Sequence, residues 1–228
     1  MILDFNGIPG CGKSTISKEL VRYLSNLNYD VIFLQDKIVK LSKCKMLIPF
    51  MFLSEIFHGV GPVLSAYYGF YKSLPLKNRK TKHMTLAAIK NAVLAYRTIR
   101  KNRMSYIITD QCIIQNIVSC FYDQTIKDEK KVEKLLNVID TKFKGLVLVN
   151  IDIDINIAQI RIKDRKTVGG RLDLLKGNQL HSMLLKQTDL FNIIRSVYKG
   201  KAINIDSTTS PLLNVQKIIE YINGDTKK

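Results

Sequence analysis

Cysteine is scarce in this sequence of 228 residues, which contains only four. Cys11, Cys44, Cys112 and Cys120 form no C-x-x-C pair and lie near no histidine cluster. This spacing indicates neither a zinc site nor a disulfide framework, so reduced thiols are expected. An apolar strand is predicted from the first residue onward, which leaves no room for a secretory leader. We therefore expect a cytoplasmic protein.

Long uninterrupted apolar runs are also lacking. Residues 46–71 come closest, but Pro49, Glu55, His58 and Gly59 are among the residues that interrupt them. A membrane-spanning helix needs about 20 consecutive apolar residues. We therefore expect buried or interfacial helices in this stretch, whose aromatic side chains would either join the core or stack on a base or sugar. Contact of residues 46–71 with a membrane surface is a minor alternative.

Acidic residues are few compared with basic ones. The chain has 36 Lys and Arg residues against 19 Asp and Glu residues, which gives a net charge of +17. Such a charge suits an anionic partner, whether nucleic acid, an anionic membrane surface or a phosphorylated small molecule. No internal repeat, linker or low-complexity tract divides the chain, so residues 1–228 are predicted to form a single domain. The sequence leaves a homodimer open.

The most informative stretch is residues 7–15, Gly-Ile-Pro-Gly-Cys-Gly-Lys-Ser-Thr, which match the phosphate-binding pattern G-x-x-x-x-G-K-[ST] at each fixed position. An apolar strand precedes this P-loop and a helical pattern follows it. Glycines let the backbone turn tightly, so that its N–H groups converge on phosphate oxygens. The residues predicted to bind nucleotide are Gly7, Gly10, Cys11, Gly12, Lys13, Ser14 and Thr15.

Within the P-loop, the chemistry assigns separate roles to two side chains. Lys13 would reach the β- and γ-phosphates, and the Ser14 hydroxyl would ligate Mg²⁺. The start of the following helix adds the positive end of its dipole. Pro9 has no N–H group, so the phosphate cradle would draw on residues 10–15. ATP and Mg²⁺ are the cofactors predicted on this basis.

Alternating strand and helix patterns predict an α/β fold. Two predicted helix starts carry capping residues, Asp154 in one case and Ser210, followed by Pro211, in the other. A long stretch, residues 38–103, separates the second strand from the third and is predicted to be mainly helical. The predicted strands cover residues 1–5, 31–34, 104–110, 146–151 and 202–206.

Two aspartates follow predicted strands and are catalytic candidates. In an open α/β sheet, ligands gather at the carboxyl ends of the strands. Asp36, after the second strand, would orient or deprotonate an acceptor hydroxyl, or would simply cap a helix. Asp110 ends the third strand in the manner of a Walker B element, where it would hold Mg²⁺ together with Ser14. Gln111, Cys112 and Gln115 follow Asp110 and are candidates to face the same cleft.

An arginine-rich segment follows the fourth predicted strand. Arg161 and Arg165 are four residues apart and so share one helical face, and Arg171 follows a Gly-Gly pair that would act as a hinge. Phosphoryl transfer requires positive charge at the transferring group. Residues 161–179 are therefore predicted to form a lid with Arg161, Arg165 and Arg171 as catalytic residues; the alternative is a solvated basic helix end.

The succession of P-loop, strand-end Asp110, arginine segment 161–171 and a terminal strand and helix resembles the thymidylate-kinase-like branch of the P-loop nucleoside and nucleotide kinases. The resemblance implies a three-layer α/β fold, in which a five-stranded parallel sheet of order 2-3-1-4-5 has helices on both faces. It also implies that the helical insertion 38–103 lies on the acceptor side. Lys13 and Ser14 match the family's P-loop, Asp110 matches its acidic residue after strand three, and Arg161, Arg165 and Arg171 fall in its lid.

The chain departs from thymidylate kinases at two places. Those enzymes have Arg after the strand-three Asp, where this chain has Gln111, and Glu-Pro after strand two, where it has residues 35–37, Gln-Asp-Lys. The run of residues 110–115 resembles more closely the kinase-like proteins of surface-polysaccharide gene clusters. The resemblance therefore implies a kinase without identifying its acceptor.

Two function classes follow. The first is an ATP- and Mg²⁺-dependent phosphotransferase that acts on a nucleotide, a nucleoside or a sugar-like acceptor. The second is an ATP-dependent nucleic-acid-binding protein or polynucleotide kinase, which the charge of +17 favours. A regulatory GTPase is disfavoured because no N-K-x-D guanine motif follows a strand.

Overall fold

Five parallel strands form one sheet in the order β2-β3-β1-β4-β5, which confirms the predicted strand order. The computed structural model describes residues 1–43, 48–73, 79–102, 105–110, 112–120, 129–165, 172, 174–175 and 177–225. The strands are β1 (Ile2–Asn6), β2 (Val31–Phe33), β3 (Tyr106–Thr109), β4 (Leu146–Asp152) and β5 (Lys201–Asp206).

Helices pack around this sheet. The connection between β2 and β3 is helical in all its described residues except Asn102 and Ser105, and a π-helical turn, Ile56–Val60, joins two of its helices. The α-helices of the described chain are α1 (Lys13–Asn26), α2 (Leu34–Lys43), α3 (Ile48–Glu55), α4 (Gly61–Ser73), α5 (Arg79–Lys101), α6 (Ile114–Cys120), α7 (Glu129–Lys142), α8 (Ile155–Lys163), α9 (Gly177–Val197) and α10 (Pro211–Asp225).

The central strand β1 determines where the P-loop lies. All five of its residues are buried, and it pairs with β3 on one side and β4 on the other. The first six residues of β4 are buried as well, as expected for a parallel strand covered on both faces. Because β1 leads directly into residues 7–15, the loop emerges at the middle of the carboxyl edge of the sheet.

Most predicted boundaries agree with the structure to within two residues, and both predicted caps are confirmed. The Asp154 carboxylate accepts hydrogen bonds from the Asn156 and Ile157 N–H groups at 2.8 and 3.2 Å, and Ser210 Oγ accepts one from the Leu213 N–H at 3.3 Å. The prediction that residue 34 belongs to the second strand is wrong, because α2 begins there without a loop.

Residues 48–73 do not form one continuous helix. The π-helical turn between α3 and α4 includes Gly59, whose φ of 88° is not helical. Tyr67 and Phe70 are buried, as predicted for core aromatics, whereas Phe57 is 84% exposed. No helix among the residues that the structure describes is long and apolar enough to cross a membrane. Membrane contact through residues 46–71 stays a prediction.

Candidate active site

A cleft of about 760 Å³ opens at the carboxyl ends of the strands, with the P-loop at its centre. Its walls come from segments that follow four different strands, which is the usual place for a ligand in an α/β sheet. The lining residues outside the loop and α1 are Gln115, Val118 and Ser119 of α6, Arg161 and Arg165, Leu172, Gln187 of α9, and Ser207, Thr208, Thr209 and Pro211.

The P-loop has a backbone that other residues could not adopt without strain. Gly10 has a φ of 89°, and a Cβ atom there would lie 2.7 Å from the carbonyl oxygen of Ala158. Gly12, at a φ of 90°, is the N-cap of α1 and has no side chain to cap the helix. The first N–H groups of α1 lack partners within the helix, so they point their positive ends into the cleft.

Lys13 is folded against this loop. Its Nζ donates hydrogen bonds to the carbonyl oxygens of Gly7 at 2.6 Å and Ile8 at 3.0 Å and lies 3.5 Å from Cys11 Sγ. The residue is only 7% exposed. An ammonium group held by neutral carbonyl oxygens can exchange them for anionic phosphate oxygens, which are stronger acceptors.

Ser14, which lines the cleft, contacts Asp110, which lies behind it. Ser14 Oγ donates a 2.6 Å hydrogen bond to Asp110 Oδ2, although the residues are 96 positions apart. A hydroxyl and a carboxylate oxygen at this distance fit Mg²⁺, which prefers oxygen ligands and is usually held by one or two carboxylates together with substrate phosphates. The described residues contain no cluster of three acidic, His or Cys residues that could enclose a metal alone. The metal role of Ser14 and Asp110 stays a prediction.

Gln35, not Asp36, lies against Asp110. Gln35 Oε1 accepts a hydrogen bond from the Asp110 N–H at 3.3 Å, and its Nε2 donates one to Thr109 Oγ1 at 3.2 Å. Asp36 is exposed in the first turn of α2 and does not line the cleft. Because each helical residue turns by about 100°, the start of α2 at residue 34 directs the Gln35 side chain, and not that of Asp36, towards Asp110.

The arginine segment is described only in part. Arg161 donates hydrogen bonds to the Oγ and backbone oxygen of Ser207 at 3.3 and 3.0 Å, and Arg165 lines the same cleft beyond the end of α8. Arg171 and the hinge glycines, like Gln111, lie outside the described residues. The structure thus places two predicted arginines at the cleft, while the lid role of residues 161–179 stays a prediction.

Two parts of the cleft were missed from the sequence. Ser207, Thr208 and Thr209 belong to a polar run directly after β5, a position that the strand-end rule would have flagged. Gln187 interrupts the buried stripe of α9 formed mainly by leucines and Phe191, which was a second available signal. Gln115 lines the cleft as expected, whereas Cys112 is buried and is absent from its lining.

A buried carboxyl group, that of Asp4 in β1, underlies the site. Its Oδ2 accepts a hydrogen bond from the Ile114 N–H at the start of α6 at 3.0 Å, and its Oδ1 has no partner. Burial raises the pKa of Asp4 to about 7, a rise that the hydrogen bond from Ile114 opposes and the negative charge of Asp110 increases. Through this hydrogen bond, Asp4 joins β1 to the start of α6.

Comparison with known proteins gives a structural likeness only. No family model and no curated protein matches the sequence. A solved deoxyadenosine kinase from M. mycoides, with the products dCMP and a flexible dCDP bound, matches with a TM-score of 0.51 and 18% identity over 98% of this chain and 100% of that one. The same enzyme with dATP bound gives a TM-score of 0.48 and 17% identity over 98% and 100%. The first of these likenesses shows that the two chains share a fold.

Proposed function

We propose that this protein is an ATP- and Mg²⁺-dependent phosphotransferase that transfers the γ-phosphoryl group of ATP to a nucleoside, a nucleotide or a sugar-like acceptor. The observation that carries the proposal is the Ser14–Asp110 hydrogen bond beside the glycine loop. A structural glycine turn needs no carboxylate at this point, whereas a nucleotide site needs one for its metal. The fold shared with a deoxyadenosine kinase that binds dCMP and dCDP supports a nucleoside or nucleotide acceptor.

In this mechanism the loop amides and Lys13 bind the phosphates. The Cys11 and Thr15 N–H groups already donate to the Ile8 and Gly12 carbonyl oxygens at 3.2 and 3.0 Å. The cradle would therefore rely on the remaining amides of residues 10–14. Lys13 would exchange its carbonyl partners for the β- and γ-phosphate oxygens. Ser14 and Asp110 would hold Mg²⁺, which supplies positive charge next to the transferring group when bound.

Arg161 would add fixed positive charge on the opposite wall. Its two bonds to Ser207 orient the guanidinium group, and a donor oriented beforehand costs little reorganisation when charge develops on the phosphoryl group. Arg165 and Arg171 are proposed to act from the same segment. Gln35 is proposed to orient Asp110, while Asp36 remains a candidate only for contact with an acceptor above α2.

The test is a screen of phosphoryl acceptors with Mg²⁺ and labelled ATP. Nucleosides, nucleoside monophosphates, sugars and a single-stranded oligonucleotide serve as acceptors. We expect transfer to a small molecule and its loss, by at least about a thousandfold, in Lys13→Ala, because a preorganised charge contact to the reacting group is worth several kcal/mol. Lys18→Ala, an exposed lysine of α1, is the matched control.

Two results would change the conclusion. Binding of Mg²⁺-ATP without transfer to any acceptor would contradict the proposed phosphotransferase. Transfer to the oligonucleotide alone, with binding that weakens steeply as salt rises, would instead support the polynucleotide kinase that the charge of +17 favours.

A further inference from the structure

We propose that Gln187 of α9 and Gln115 of α6 bind an uncharged hydrogen-bond donor of the phosphoryl acceptor and so set acceptor specificity. This inference rests on the proposed function and deepens it. It concerns two residues that no step described above uses. Both line the P-loop cleft, and both have a buried amide oxygen without a hydrogen-bond partner.

Gln187 occupies a position that the packing of α9 would give to an apolar residue. The buried face of α9 includes Leu180, Leu184 and Phe191, and Gln187 lies on it. Gln187 is only 7% exposed, so its unpartnered oxygen has lost water without gaining a protein donor. Such an arrangement destabilises the folded protein, and in native structures it calls for a functional explanation.

Gln115 repeats the pattern on the neighbouring helix. It lies in the first turn of α6 and shares a cleft-facing surface with Val118 and Ser119, at the spacing of one helical turn. Helices α6 and α9 pack against each other. The two glutamines, with Val118 and Leu172, therefore give one side of the cleft an apolar surface that carries two amide groups.

The chemistry of these oxygens selects the ligand group. A carbonyl oxygen accepts a hydrogen bond from a hydroxyl or amino group but repels phosphate oxygens, which are acceptors only. Arg161 and Arg165 follow β4, whereas Gln115 follows β3, and β1 lies between these strands. Because α6 and the arginines lie on opposite sides of the P-loop, Gln115 would contact a neutral part of the acceptor while the arginines contact phosphates. Gln187 lies on α9, which packs against both α6 and α8, and would bind the same neutral part beside Gln115.

Gln187→Leu and Gln115→Leu test the inference, because leucine keeps most of the volume and removes the amide. We measure the melting temperature of each variant, its shift with a panel of nucleosides and their 5′-monophosphates, and KM and kcat for both substrates. We expect the ligand-free melting temperature to rise. We also expect KM for the acceptor to rise about tenfold, the value of one lost hydrogen bond, with KM for ATP unchanged. Gln216→Leu, an exposed glutamine of α10, is the control.

Several outcomes would overturn the inference. They are a lower melting temperature with unchanged acceptor binding, an equal rise of both KM values, and a KM for the acceptor that neither variant changes. The melting-temperature shifts need no turnover. A nucleoside shift that is lost in Gln187→Leu would therefore support the glutamine site even if the transfer reaction failed, whereas transfer that neither glutamine variant affects would leave only the proposed function standing.

Discussion

The P-loop and the helices between β2 and β3 keep their shapes by different means. The P-loop depends on backbone conformation, with Gly10 and Gly12 at φ values near 90° and Lys13 bonded to loop carbonyl oxygens. The helices are held by side chains, and α3 and α5 are joined by that of Glu55, which is fully buried and accepts hydrogen bonds from Arg97 and Arg100 at 2.9–3.1 Å. The first arrangement is local in sequence; the second joins residues more than 40 positions apart.

The strand that leads into the P-loop and the helices between β2 and β3 each contain a buried carboxyl group, and the pKa values of the two groups shift in opposite directions. Burial acts to raise the pKa of Glu55, but the hydrogen bond and charge of Arg100, and then the charges of Arg97 and His58, outweigh it, so the pKa lies below its ordinary value. Asp4 has no such cation, and its pKa rises to about 7. Glu55 is therefore charged in the folded protein at neutral pH, whereas Asp4 holds its proton in part.

The largest loss of stability is expected from Glu55→Ala. The variant leaves Arg97 and Arg100 without their carboxylate, and removing one partner of a buried ion pair costs about 3 kcal/mol or more. Because both arginines are about one fifth exposed, with side-chain values of 20% and 22%, water offsets part of this loss, and we expect about 2–4 kcal/mol. Denaturant melts followed by circular dichroism measure the free energy of unfolding.

A surface ion pair provides the control for Glu55. Glu19 lies 3.6 Å from Arg22 on α1 with both side chains exposed, so Glu19→Ala should cost less than about 0.5 kcal/mol. In the wild type, the contribution of Glu55 is complete above its ordinary pKa and is lost as pH falls through the lower folded pKa. If Glu55→Ala is no less stable than Glu19→Ala, the cluster does not hold these helices.

Gly10→Ala tests whether the P-loop depends on its backbone conformation. A Cβ atom would meet the Ala158 carbonyl oxygen at 2.7 Å, and the φ of 89° disfavours alanine, which together should cost about 1–3 kcal/mol. The folded variant should lose binding of Mg²⁺-ATP in calorimetry, because the loop must shift. Gly224→Ala, which has open space around it near the end of α10, should bind as the wild type does. Normal ATP affinity in Gly10→Ala would contradict the assignment of the loop.

The sequence predicted well those features that depend on neighbouring residues or on strand ends. The P-loop is a contiguous motif, and Ser14 and Asp110 were expected to meet because both follow strands of one parallel sheet. The Glu55 cluster could not be predicted, because Glu55, Arg97 and Arg100 come together only through the packing of α3 on α5. Local pattern carries no information about which of the many charged residues will pair.

The errors at the site arise from single-residue shifts and from buried polar groups. The second strand ends one residue earlier than predicted, and α2 begins at once at Leu34, which brings Gln35 to Asp110 and leaves Asp36 in solvent. The sequence did not predict Gln187 as a site residue, because a polar residue in a helix is normally solvated. The prediction for Asp4 was only that it belongs to an apolar strand, although an acidic residue in a buried parallel strand must be either paired or protonated.

Asp4→Asn sharpens the contrast between the two carboxylates. Its effect above pH 7 should be stabilising, with an upper limit of about 4 kcal/mol, the value that linkage gives for a pKa raised from 3.8 to about 7. The folded pKa of about 7 exceeds the ordinary value of 3.8. Wild-type stability should therefore fall as pH rises between these values and stay low above them. Asparagine removes this dependence, so the two unfolding curves should converge near pH 4. Curves that stay parallel from pH 4 to 8 would show that Asp4 does not titrate in this range.

The smallest effect is expected from Asp154→Ala, which removes the side-chain cap of α8, the helix whose Ala158 lies next to Gly10 of the P-loop. Its carboxylate caps α8 through two N–H groups, and losing such a cap costs about 1 kcal/mol. Asp154→Ser should recover most of the loss, because serine also caps. Since Arg161 lies near the other end of α8 and is bonded to Ser207, ATP affinity should change little. A loss equal to that of Glu55→Ala would mean that the site depends on side chains as much as the helices between β2 and β3 do.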